Sequence, residues 1–278
     1  MNKLLSAGFR RLWRSRAFWL QLAVMVAVPV FLCISNAGYL EDGIKSEFYL
    51  EDLVFSMVPA VGFIFAIFIS LFLSPEYSEG ALRNKLIVGH GRVRIYLANL
   101  TVCVAASLIA LAVYFAAAVG LGSALFGWFN RGAAEIASYF LISILAAIAL
   151  TSASVLVVMC VQNKVIATVL TIVVFVLMMI SGSALIDRLN EPEQTYGYVT
   201  IKEDGTPEFR ELEDNPLYIG GKLRTALKFV RDCNPEAQMI EVNNYDCDYP
   251  LRLPLLALVF SGVCSFAGAI VLKKKDIK

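Results

Sequence analysis

Six stretches of the chain run for about twenty residues or more without Asp, Glu, Lys or Arg: Ala17 to Tyr39, Leu53 to Ser74, Ile95 to Phe129, Ile136 to Asn163, Val165 to Ile186 and Leu253 to Leu272. At 1.5 Å of rise per residue, about 20 apolar residues in a helix cross a hydrocarbon core of roughly 30 Å. The pattern predicts an all-α polytopic membrane protein with six transmembrane helices. An even count places both termini on one side.

The polar stretches between these runs are patterned too. Over residues 1–16, Leu4, Leu5, Phe9, Leu12 and Trp13 recur at helical spacing against Lys3, Arg10, Arg11 and Arg14, which predicts an interfacial amphipathic helix. A rival reading makes this the basic start of a signal peptide, with Ser35 and Ala37 ahead of a cleavage site. The length of the basic stretch and the bilayer-spanning run after it weigh against that reading. Between the second and third runs lies a charged island, Glu76 to Tyr96. Within it Gly80 and Gly89 bracket Ala81 to Val88, where Leu82 and Leu86 stand at i and i+4 while Arg83, Asn84 and Lys85 point elsewhere. This predicts a short amphipathic helix across a membrane face, followed by Arg92, Arg94 and then Tyr96 at headgroup height.

The spans carry their own punctuation. Pro29 is expected to kink or locally unwind the first, because it cannot donate to the helix ladder. The third run is longer than the bilayer needs, so it must tilt, project beyond it or break, with Gly120 and Gly122 marking the expected break. Ser181-Gly182-Ser183 would let the fifth helix end or re-enter. The second span is rich in Phe, including Phe55, Phe63 and Phe68, rings that either line an apolar cavity or face lipid. In the loop before it, Glu41, Asp42, Glu47, Glu51 and Asp52 read as a solvated acidic face.

From Asp187 to Arg252 the composition turns acidic, with turn signals, and predicts a small mixed α/β domain over residues 187–252 that folds only by leaning on the helices. Tyr196 to Ile201 and Thr206 to Leu212, joined by Lys202-Glu203-Asp204-Gly205, read as a β-hairpin. Leu223, Ala226, Leu227, Phe229 and Val230 mark an amphipathic helix after it. Cys233 and Cys247 are the two cysteines outside the spans. As a disulfide they would close a loop worth roughly 3 kcal/mol on a chain-entropy estimate, and we expect that pairing, with two buried or exposed thiols as the alternative. Cys33, Cys103, Cys160 and Cys264 are simplest as apolar core residues.

Composition supports the membrane reading, since 58% hydrophobic residues exceeds the roughly 45 to 50% apolar content of soluble domains. Charge gives the orientation. Fourteen of the 24 Lys and Arg lie at the termini and in the loops on the side of Glu76 to Tyr96, against two, Lys45 and Arg131, in the short loops opposite. The positive-inside rule therefore makes both termini and the island cytoplasmic, and residues 187–252 extracellular. No predicted span carries an ionisable acid or base with which to couple transport to an ion gradient. Gly220-Gly221-Lys222 lacks the rest of a P-loop, and the single histidine, His90, rules out a His-based metal site or a zincin helix. An intramembrane enzyme is disfavoured for the same lack of paired catalytic groups. We expect no catalytic site, no cofactor, no metal and no nucleic-acid partner on this chain.

The order of an interfacial helix, two spans, an inner helix opened by Glu76-Tyr77-Ser78-Glu79-Gly80, three more spans, an outer domain and a last span with a basic tail resembles the six-helix ABC-2-type permease subunits of ABC exporters. Arg83-Asn84-Lys85-Leu86-Ile87, Gly89, Arg92 and Ile95-Tyr96 are similar to the motif such permeases carry at their coupling helix. Asn215-Pro216, Tyr218, Gly221 and Arg224, with Asn234-Pro235, resemble an outer motif of the bacterial branch that includes lantibiotic and bacitracin-type export permeases.

The resemblance implies a bacterial plasma-membrane protein organised as an interfacial helix (1–16), helices 1–5 (17–186) with the coupling segment at 76–94, the extracellular domain (187–252) and a last helix with its tail (253–278). It implies that Glu76, Glu79, Gly80, Leu82, Arg83, Lys85, Leu86, Gly89 and Arg92 serve coupling to a separate cytoplasmic ABC ATPase, two copies of which hold ATP and Mg. Arg83 and Lys85 would meet its acidic rim, and Leu82 or Leu86 its apolar floor. A second permease chain would complete a homodimer in the lipid bilayer. Peptide, lipid or an amphipathic small molecule would pass between the second and fifth spans, along Phe55, Phe63, Phe68, Met178 and Met179. The alternative is a non-transporting membrane sensor whose outer domain binds a ligand.

Overall fold

A computed structural model describes residues 1–41, 48–78, 80–161, 163–196, 200–201, 207–208, 212–247 and 250–274. Helix α1 (Asn2–Arg14) turns Leu4 and Leu12 inward and lies against the third span, with Gly8 facing Val102. Ser15, in extended conformation, breaks it from α2 (Arg16–Glu41), the first span. Pro29 sits inside α2, which stays helical on both sides of it.

The second span is two helices, α3 (Leu50–Phe55) and α4 (Val58–Leu73). Pro59 explains the break: it has no N–H to offer the carbonyl of Phe55, and its ring crowds that carbonyl. After α5 (Pro75–Ser78) and α6 (Ala81–Ile87) the chain enters α7 (Arg92–Phe126), 35 residues without interruption. The expected break at Gly120 and Gly122 is not made. A Cβ on Gly122 would lie 2.5 Å from a methyl of Leu53 and 2.6 Å from one of Leu50, so this glycine brings α7 close against α3.

Helix α8 (Ala133–Cys160) is the centre of the bundle, packed on α4, α7, α9 (Lys164–Asn190) and α12 (Arg252–Lys274). Its most apolar stretch is 67% buried, whereas those of α2, α9 and α12 are 28%, 22% and 28% buried. Val165, Val169, Leu177 and Ile180 on α9 and Leu255, Val259, Val263 and Phe266 on α12 are exposed apolar rows of the kind that face lipid. All six spans are long and apolar enough to cross a membrane, as their sequence predicts.

Between α9 and α12 come a hairpin and two helices. Strands β1 (Gln194–Tyr196) and β4 (Leu212–Asp214) pair antiparallel, as do β2 (Thr200–Ile201) and β3 (Pro207–Glu208), in one shared register. The predicted turn at 202–205 falls outside the described residues. Helix α10 (Gly221–Cys233) follows, and α11 (Pro235–Asn244) then sinks into the bundle between α4, α8 and α9. Arg231 of α10 donates to Asp232 and pairs with Glu241 of α11 at 2.7 Å, all three buried.

The small residues at 181–183 take their meaning from α11. Helix α9 runs through them, and a Cβ on Gly182 would come within 3.1 Å of the Ala237 backbone. That glycine seats α11 and does not end α9.

Candidate functional site

The charged island folds back on its own carboxylate. Glu76, 1% exposed, accepts from Arg11 Nη1 at 2.5 Å and Lys85 Nζ at 2.6 Å on one oxygen, and from Asn99 Nδ2 at 2.6 Å on the other. Those three donors sit on α1, α6 and α7. Burial pushes the carboxyl pKa up, but the two cations and the hydrogen bonds from Lys85 and Asn99 more than reverse this and hold it below the usual 4.5. Arg11 is further fixed by stacking over Phe72, 4.2 Å from the ring centre. Arg11 and Asn99 are hub members that periodicity alone does not single out. Asn99 was nonetheless visible as the one Asn near the start of a long apolar run.

Helix α6 is set by its flanking glycines. Gly80 before it has φ 68 and Gly89 after it φ 91, the left-handed region that favours glycine. At the far end Gly89 N–H donates to Leu86 O and His90 N–H to Lys85 O, the paired closure of a Schellman motif. Gly91 then opens α7.

The orientation of α6 corrects the expectation for its side chains. Leu82 is 1% exposed in the chain's own core, Leu86 packs half-buried against it, and Lys85 points at Glu76. What α6 leaves outward is Arg83, Asn84, Ile87 and Val88, the last two 73% and 76% exposed. An i, i+4 leucine pair marks one apolar face but not whether that face looks inward or to a partner, which is why the sequence did not mark Ile87 and Val88 as the outward apolar pair. Glu79 lies outside the described residues. Arg92 donates to Lys273 O at 2.9 Å and ties α7 to the end of α12. Tyr96, expected among headgroups, is instead fully buried, its ring in van der Waals contact with Gly268 of α12.

The other motif positions form joints at the opposite end. Asn215 donates to Glu191 Oε2 and Pro192 O, while Arg224 donates to Leu189 O at 2.7 Å and Ile219 O at 3.2 Å and lies over the Tyr218 ring. Together they hold the last turn of α9. Asn234 caps α11 by accepting from Glu236 N–H and donates to Met178 O of α9 at 2.8 Å, with Pro235 at the first helical turn. The far end of α11 is held by Tyr245, which donates to Asp52 at 2.8 Å under the guanidinium of Arg131.

Glu51 and Asp52 thus depart from the solvated face expected of them. Glu51 is buried and accepts from the Asn130 N–H, and Asp52 also closes the capping box of α3. Asp42 and Glu47 fall outside the described residues.

The five candidate pathway residues separate. Phe55 is buried in a ring cluster with Phe115, Tyr139 and Phe140. Phe63 and Phe68 line an apolar groove between α2 and α4. Met178 packs half-buried against the core, and Met179, 38% exposed, lines a groove of about 650 Å³ with Ser56, Pro59, Ser183, Asp187 and Asn243.

The expected disulfide is not formed: Cys233 and Cys247 are both thiols. They sit before and after α11, whose ten residues span about 15 Å, more than twice the Cα separation a disulfide tolerates.

No curated protein sequence matches the chain. Residues 4–182, more than half of its length, match the family described as ABC-2 family transporter protein. With that match and six bilayer-length helices among the described residues, the chain belongs to that family, and it is a multi-pass, membrane-spanning permease component of an ABC transporter.

Proposed function

We propose that the chain is the permease subunit of an exporter of peptides, lipids or amphipathic small molecules, and that a separate ABC ATPase drives it through α6. The observation that carries this reading is the Glu76 hub, because a push on α6 reaches α1 through Arg11 and α7 through Asn99 without crossing a flexible link. Both termini and α6 face the cytoplasm of a bacterial cell, where Arg83, Ile87 and Val88 enter a groove of the ATPase. ATP and Mg stay on that partner, two copies of which close under a permease homodimer. Substrate then passes between α4 and α9 of facing protomers, and Met179, Ser183 and Asp187 line its outer exit.

The test is an Arg83→Glu, Val88→Asp double variant, reconstituted with the ATPase from its own membrane. Both side chains are exposed, so insertion and folding should survive. Substrate-stimulated ATP hydrolysis should fall to the level of the ATPase alone. Full stimulation in the correctly inserted variant would overturn the coupling role of α6.

A further inference from the structure

We propose that the corner where α1, α2 and α4 meet is a binding site for one anionic phospholipid, its phosphate on Arg14, Ser15 and Arg11 and an acyl chain in the groove beside Gln21. Two adjoining cavities make up the corner. One, of about 300 Å³, is lined by Arg11, Arg14, Ser15, Leu71, Phe72, Pro75, Glu76 and Ala81. The other, of about 280 Å³, is walled by Leu20, Val24, Phe63, Ile67, Phe68 and Leu71, and its polar member is Gln21. Leu71 belongs to both. Phe68 and Phe72, stacked with centroids 5.5 Å apart, continue the same stripe of α4 beneath the two.

The polar groups of this corner lack partners. Nε and Nη2 of Arg11 have no acceptor among the described residues, and Nε2 and Oε1 of Gln21, a residue only 3% exposed, have no hydrogen-bond partner among them. Arg14, exposed at the rim, has no acceptor among the described residues either. Glu76 offsets one of these charges by pairing with Arg11 and Lys85, and Arg11, Arg14, Lys85 and Glu76 together still carry a net charge of +2. The exposed guanidinium of Arg14 beside the Ser15 hydroxyl suits a phosphate, with the Arg11 charge behind it. A carbon-lined groove with one buried amide suits an acyl chain bearing a carbonyl.

Depth favours a lipid over a soluble anion. Trp13 and Trp19 are half-exposed next to the corner, and the Trp19 indole N–H donates to Trp13 O, fixing an aromatic pair at the level where such rings sit among headgroups. Gln21 lies five residues past Arg16, about 7.5 Å deeper along α2, which is the depth of the boundary between headgroup and chain. A glycerol ester carbonyl at that depth accepts from Gln21 Nε2 while the phosphate lies at Arg14. Ala81, at the start of α6, lines the headgroup cavity, so occupancy bears directly on the position of that helix.

The test uses the full chain purified in mild detergent from bilayers of equal phosphatidylglycerol and phosphatidylcholine, with retained lipid counted by mass spectrometry of the intact protein. Wild type should keep one phosphatidylglycerol in preference to phosphatidylcholine. Arg14→Gln and Gln21→Leu should each lower that retention, Arg14→Gln by roughly fivefold if its cation contributes as a basic residue at a membrane surface does. Arg94→Gln, which removes an exposed cation elsewhere on the same end, should leave it unchanged. A monodisperse size-exclusion profile certifies each variant as folded. Equal retention of the two lipids, equal loss in Arg94→Gln, or displacement by millimolar inorganic phosphate would each overturn the site. So would an empty corner accompanied by a change of oligomeric state in Gln21→Leu, which would make the groove a seam between copies.

Discussion

Lys85 Nζ stands 2.6 Å from Glu76 Oε1, so the cation expected to reach for a partner protein is spent inside the chain. Glu76 is 1% exposed, and removing its charge strands Arg11 and Lys85 around a neutral site. Glu76→Gln should cost about 3 kcal/mol, the low end for a broken buried pair because both cations keep some solvent. The pH dependence follows from the depressed pKa. Its stabilisation is present above the unfolded carboxylate value and is lost as pH falls through the lower folded value. The gap in thermal midpoint between wild type and Glu76→Gln should therefore be wide at neutral pH and close in acid. A gap that stays constant with pH would contradict the ion pair.

The inward and outward faces of α6 should separate stability from coupling. Leu82→Ser places a hydroxyl in a core position that is 1% exposed and should lower the thermal midpoint, with a cost of about 2 to 4 kcal/mol. Ile87→Ser and Val88→Ser change side chains more than 70% exposed and should leave the midpoint within about 0.5 kcal/mol of wild type. If α6 docks an ATPase, those two variants lose ATPase stimulation while remaining fully folded. Stimulation retained in both would move the contact to Arg83 and Asn84.

The spans were legible because a bilayer imposes one length and one composition on every helix that crosses it. What lay beyond reach is what a bilayer does not impose. A glycine in an apolar run reads alike whether it breaks a helix or seats a neighbour, and Gly122 and Gly182 are seats for Leu53 and Ala237. Charge outside the spans reads as solvated, yet Arg231 and Asp232 of α10 and Glu241 of α11 are all buried, because the two helices bring these charges together as partners. The coupling motif was legible as a motif, but its wiring depends on Arg11 and Asn99, which approach Glu76 only after α1 and α7 have packed.

Tyr96 and Gly268 make a packing prediction. A Cβ at Gly268 would lie 2.2 Å from the Tyr96 hydroxyl and 2.4 Å from Cζ, and the ring is fully buried with no room to retreat. Gly268→Ala should destabilise by about 1 to 3 kcal/mol through overpacking between α7 and α12. Shortening the ring to Tyr96→Leu should recover much of that loss in the double variant, giving a non-zero coupling energy in the thermodynamic cycle. Additive effects would mean that the two helices do not meet at this point.

Glu236 is fully buried near the start of α11, and neither carboxyl oxygen has a hydrogen-bond partner among the described residues. Gly62 of α4 provides the space, since Oε2 lies 3.1 Å from where its Cβ would be, with Leu150 and Phe175 crowding the same spot. Burial pushes the carboxyl pKa from 4.5 to about 9. In the unfolded chain the group ionises near its ordinary value, so between these two values the native state holds a proton that the unfolded state has lost. Stability must then fall as pH rises through that window, by about 3 kcal/mol between its lower edge and pH 7. Glu236→Gln keeps the shape and cannot ionise. Its thermal midpoint should match wild type near the acid edge and rise above it progressively toward pH 8. Parallel pH profiles for the two proteins would mean that Glu236 is charged in the folded state, and that α11 holds a counter-charge for it.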